Sequence, residues 1–173
     1  MSELYILLSI IGTLVMIGFF AGYEIAFVSA NRLSIELKKK QGKKSGLILA
    51  NFMENPAKFI GSCLIGLNIF LVIYGLLFDE FLKSIAWRPI NFQNHIVQLI
   101  VDTLISTIVV LIFGEFIPKA VFKAKSERFL SFFSSVAQFF YTLFQPIATF
   151  FVNISQWILK YVFNMRLNKS NDA

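Results

Sequence analysis

Charge is scarce: only 15% of the 173 residues are Asp, Glu, Lys or Arg, where a soluble domain carries about a quarter. That shortage, with 57% hydrophobic residues, argues against a water-soluble globule. There is one cysteine, Cys63, so neither an intramolecular disulfide nor a thiolate metal cluster can form. It falls inside an apolar run, where a buried, inert thiol is expected. There is one histidine, His95, at an expected helix start, where a solvated or interfacial residue is expected rather than a metal ligand. No Ser/His/Asp or Cys/His set, phosphate-cradling glycine loop or metalloprotease helix motif is present, so no enzyme is expected. No nucleic-acid-binding motif interrupts the apolar runs, and the net charge of +6 is read as topology signals and anionic-lipid contacts.

What is abundant is phenylalanine, at 21 residues, set in long apolar runs. A helix needs about 20 apolar residues to cross the hydrocarbon core. The first run, Leu4 to Ala30, meets that length and carries Gly18 and Gly22, a pair of small residues that lets another helix approach closely. It also carries Glu24. The second run, about Phe59 to Phe78, places Gly61, Asn68 and Gly75 seven residues apart on one face, expected to meet protein rather than lipid. The third, about Ile96 to Pro118, carries Thr103, Thr107 and Glu115 on one stripe.

The loops orient these runs. Asn31 to Asn55 holds Arg32, Lys38, Lys39, Lys40, Lys43 and Lys44 against Glu36 and Glu54, and basic excess marks the cytoplasmic side. The N-terminus is then expected outside, with no basic n-region of a cleaved signal peptide. Asp79 to His95 is mixed in charge and suits the outside, with Trp87 as an interfacial anchor. Lys119, Lys123, Lys125 and Arg128 bring the third run back to the cytoplasm. The last run, Phe129 to Leu159, has basic residues at both ends and Pro146 near its middle. Proline removes a backbone donor and clashes with the preceding turn. The expected fold class is therefore an all-α membrane protein with three transmembrane helices and a Pro-broken juxtamembrane or re-entrant helical hairpin; a fourth span is the alternative. Residues 1–163 form the transmembrane domain and 164–173 a polar, disordered tail.

Glu115 is the first candidate for chemistry. A carboxylate in hydrocarbon costs several kcal/mol unless it is paired, protonated or bound to a cation. Pro118 lacks an N–H, so the carbonyl of Gly114, four residues earlier, loses its helical partner. A freed carbonyl beside a carboxylate offers hard oxygens suited to Mg²⁺, Ca²⁺ or Na⁺. The competing reading pairs Glu115 with Lys119 one turn on. Asn68 supplies a neutral oxygen or serves as interhelical glue. Glu24 is a second carboxylate, or the partner of Arg32, Lys119 or a loop backbone.

Three motifs carry a family resemblance. They are Phe19-Phe20-Ala21-Gly22-Tyr23-Glu24-Ile25-Ala26-Phe27 followed by Asn31-Arg32-Leu33, then Leu64-Ile65-Gly66-Leu67-Asn68, then Gly114-Glu115-Phe116-Ile117-Pro118-Lys119. In order and spacing the chain resembles the CNNM/CorC membrane proteins, associated with Mg²⁺ efflux and Mg²⁺/Co²⁺ resistance. The resemblance implies three transmembrane helices, a juxtamembrane helical belt and a homodimer in the cell (inner) membrane. It also implies a central Mg²⁺ or Na⁺ site open to the cytoplasm. Relatives often have Ser at Ala21 and Asn at Leu67 and Leu71, oxygens this chain lacks. They usually continue into cytoplasmic CBS modules, which are not in this sequence. The resulting expectation is divalent cation transport, set against a scaffold or ion sensor that moves nothing.

Overall fold

The computed structural model describes residues 3–86 and 94–161. The first apolar run forms α1 (Glu3–Val28). After a short connection, the Asn31 side chain accepts the Leu33 N–H at 2.9 Å and so caps α2 (Arg32–Lys40). Gly42, at φ 68°, turns the chain into α3 (Lys44–Glu54). Gly46 lies so close to the Lys38 backbone that a side chain there would collide with it. The basic segment between the first two runs is thus a folded helical hairpin. α4 (Pro56–Phe81) opens on proline, which suits a first helical turn. It continues into a π-helical turn, Leu82–Ala86.

Asn94 caps α5 (His95–Val109) by accepting from Ile96 N–H at 3.0 Å, so His95 does begin a helix and is exposed. α5 passes into a second π-helical segment, Val110–Phe116, then α6 (Ile117–Ala124). The third apolar stretch therefore runs on through Pro118. A short α7 (Ser126–Phe132) and the long α8 (Ser134–Tyr161) complete the described chain. Trp87 and the expected tail at 164–173 lie outside the described residues.

The described residues are all helix and connection, with four helices long and apolar enough to cross a membrane: Glu3–Val28, Pro56–Ser84, His95–Ala124 and Ser134–Tyr161. The chain is a membrane protein. The expected break at Pro146 is corrected here: α8 is continuous through it. A proline removes one N–H, and packing on both sides of that point (Tyr141 and Phe144 before it, Ala148 after it, all buried) holds the helix together.

α1 sits at the centre, packed on α4, on the π-segment with α6, and on α7. Its C-terminal half builds an aromatic core. Phe27 and Phe59 meet tilted at 4.4 Å between ring centres, Phe59 stacks on Phe52 at 4.3 Å, and Phe20 meets Phe140 edge to face at 5.0 Å. α8 packs on this layer, chiefly against α4. Phe140 and Phe144 of α8, and Phe133 just before it, meet Phe19 or Phe20, and Ala148 meets Gly61. On the predicted small face of α4, Gly61 does meet protein. Asn68 is exposed and nothing lies within 4 Å of a Cβ at Gly75, so that part of the face is open in the single chain.

Candidate functional site

The two glycines of α1 and the π-segment of the third stretch make one joint. A Cβ on Gly18 would lie 2.8 Å from Pro118 Cγ, and one on Gly22 2.6 Å from the Phe122 ring. Both are closer than real side chains sit, so only glycine lets α6 lie this near α1. On the other side, a Cβ on Gly114 would meet Ile17 and Val110 at 3.0 Å. The carbonyl oxygen of Gly114 lies 3.7 Å from the Cβ position of Gly18, so it is turned toward α1.

The backbone around that carbonyl departs from α-helix. Over Val110–Phe116 it is π-helical, and Ile117 N–H reaches back five residues to the Ile112 carbonyl. Single π-turns inside helices gather at functional sites. Pro118 is the local cause of irregular pairing, because its missing N–H cannot serve the carbonyl one turn earlier. The sequence pointed to the disturbed carbonyl; the wider turn itself has no signal in the residue pattern.

Glu115 follows directly. Its carboxylate accepts from Lys119 Nζ at 3.2 Å, with the acid side chain 26% exposed. The ion pair weighed against metal binding is thus present. Glu24, half-buried on α1, lies near enough that Lys119 and Glu115 both act on its charge. It makes no ion pair or hydrogen bond with Arg32 among the described residues. The Glu115–Lys119 pair and the Gly114 carbonyl thus lie where Gly18 and Gly22 bring α1 against α6, with Glu24 two residues after Gly22 on α1.

Asn68 is not drawn into this group. Its Nδ2 donates to the Leu64 carbonyl at 2.7 Å within α4, and no hydrogen bond joins it to Glu24 or Glu115 among the described residues. Ala21 is fully buried and Leu67 packs into the core, and neither side chain carries an oxygen. No cluster of three or more His, Cys, Asp or Glu side chains forms a metal nest among the described residues. Cys63 is buried and free, in an aromatic pocket shared with Phe19, Phe20, Tyr23 and Tyr141, and no carboxylate lines that pocket.

One acidic residue was passed over in the sequence. Asp102 in α5 is 6% exposed, the most buried carboxylate described. It precedes Glu115 by thirteen residues, about 20 Å along a helix, so it belongs to the other end of the stretch. The rule that drew attention to Glu115, a charge inside an apolar run, would have found it too.

No curated protein matches the chain. The description of the cyclin M transmembrane N-terminal domain matches residues 8–172, nearly all of it, and the chain belongs to that family, CNNM.

Proposed function

We propose that the protein moves a divalent cation, Mg²⁺ before others, out of the cytoplasm through the joint between α1 and α6. The observation that supports this most is the placing of Glu115 and the Gly114 carbonyl, with Glu24 two residues after Gly22, at a glycine-built contact beside a π-turn. Each of these groups is a hard oxygen donor, the type Mg²⁺ takes. Lys119 occupies the place of the cation's charge. For Mg²⁺ to bind, the ammonium must leave Glu115, and exchange of one positive partner for another is a way to open and close the site. Asn68 would join only after a movement of α4 relative to α1. Na⁺ fits the same oxygens as counter-ion.

In this reading α1, α4 and the α5–α6 stretch are the three spans, with the N-terminus outside. α8, with basic residues at both ends of its run, lies at the cytoplasmic boundary. The protein works as a homodimer in the cell membrane and is not an enzyme.

A second reading has one observation in its favour: the 3.2 Å Lys119–Glu115 pair already neutralises the acid, as it would in a scaffold or sensor that transports nothing. The purified protein decides. Mg²⁺ should raise the melting temperature of the wild type and leave Glu115→Ala unmoved. Reconstituted protein should carry Mg²⁺ flux that Glu115→Ala abolishes. A Mg²⁺ response unchanged by the substitution would remove the site, and binding without flux would favour the sensor.

A further inference from the structure

The hairpin α2–α3 carries a pattern that the cation site does not use. It is tied to the membrane at both ends. Three residues, Ser29 to Asn31, separate it from α1, and a single residue, Asn55, from α4. One face of the hairpin is anchored. Ile35, Leu49 and Phe52 are buried in the same core as Phe27 and Phe59, at the ends of the spans. Lys38 Nζ bonds Ser131 Oγ at 2.9 Å and lies 3.8 Å from Glu127, and Ser34 Oγ donates to Glu127 at 2.7 Å. These contacts fix α2 to α7 and engage Lys38 and Glu127 with each other.

The outer face shows no such partners among the described residues. Leu33 is 63% exposed and Leu37 51%, one turn apart, and Leu47 on α3 is 50% exposed. Around them Lys39, Lys40, Lys43 and Lys44 are exposed, with Glu36 the acid on the same helix. Leucines interleaved with lysines, on a short helix held against span ends, have the composition of a helix lying in the membrane interface. Lysines snorkel outward while their stems and the leucines stay in the acyl boundary. Lysines beside a bilayer are drawn to an anionic surface.

We infer that the outer face of the α2–α3 hairpin is a docking surface for anionic lipid: Leu33, Leu37 and Leu47 enter the headgroup–acyl boundary, and Lys39, Lys40, Lys43 and Lys44 take the phosphates. The charge sign selects anionic headgroups over zwitterionic ones. This inference stands apart from cation transport and holds whether or not an ion moves.

Full-length protein with both natural tryptophans replaced by Phe, carrying Leu37→Trp, reports on it in bilayers mixing phosphatidylglycerol and phosphatidylcholine. Brominated lipid should quench the new tryptophan. Bromine on phosphatidylglycerol should quench roughly twofold more than the same mole fraction of brominated phosphatidylcholine. The excess should shrink in high salt, which needs no further variant, and vanish when the four lysines become Gln. Quenching by aqueous iodide with none by brominated lipid would put the face in water. Protection from both would put it beneath a protein. Equal quenching by the two lipids would remove the charge selection. Any of these three results overturns the inference.

Discussion

At the level of single residues, Lys119 is the instructive side chain. It sits one turn after Glu115 and pairs with it, so it is both the stabiliser of that acid and the competitor of any cation bound there. A partly exposed pair at this spacing contributes about 0.3–0.5 kcal/mol. Lys119→Gln should therefore lower the melting temperature little, while removing a positive charge from the site. Apparent Mg²⁺ affinity should rise roughly tenfold, or ~1.4 kcal/mol, measured by calorimetry or thermal shift. Weaker Mg²⁺ binding in this variant would show that the ammonium helps to build the site instead of blocking it. Both acids and the ammonium could be picked out from the sequence because charges in apolar runs are conspicuous. Their placing at one joint could not, since nothing in the residue order says how far α1 and α6 slide past each other. Asn68 shows the reverse failure: its motif is clear, yet its side chain turns to its own helix.

Among the elements, the joint between α1 and α6 rests on backbone proximity. Gly22→Ala would push a methyl into the Phe122 ring, 2.6 Å away, and Gly18→Ala one into Pro118. Over-packing of this kind costs about 1–3 kcal/mol. Each variant should lower thermal stability in detergent, and Phe122→Leu should restore part of the loss in Gly22→Ala but none in Gly18→Ala. A loss in Gly22→Ala that Phe122→Leu leaves untouched would place the effect elsewhere. The small pair in the first run announced this contact; the identity of its partner rested on the fold. α8 is where local reasoning erred. Pro146 reads as a break, but a ring on an exposed helix face leaves the turn intact when buried residues hold both flanks. Whether this continuous helix spans is testable with single cysteines at Ser135 and Lys160, introduced with Cys63→Ala. Both should react with an impermeant thiol reagent from the cytoplasmic side alone, as the basic residues flanking both ends of this run predict. Labelling from opposite sides would make α8 a fourth span.

On the scale of the whole molecule, coverage is uneven. In the most apolar window of each stretch, 39% of α1 is buried but only 11% of His95–Ala124, the stretch that bears Glu115. α4 likewise leaves Val72 65% and Leu76 70% exposed beside the open Gly75. Lipid can cover leucine and valine, but it gains nothing from covering Asn68, whose amide oxygen has a use only against protein, water or an ion. A second copy of the chain would meet this need, since the small residue Gly75 would let two helices approach and an asparagine facing its own mate could bond across the axis. With Cys63→Ala as background, Val72→Cys should form an intermolecular disulfide on mild oxidation in membranes, and Leu8→Cys, on the exposed side of α1, should not. The cross-link at 72 should persist when the protein is diluted into excess lipid, because a true interface does not depend on collision. Equal reaction at both positions, or loss on dilution, would leave α4 facing lipid and would remove the homodimer from the account of the ion path.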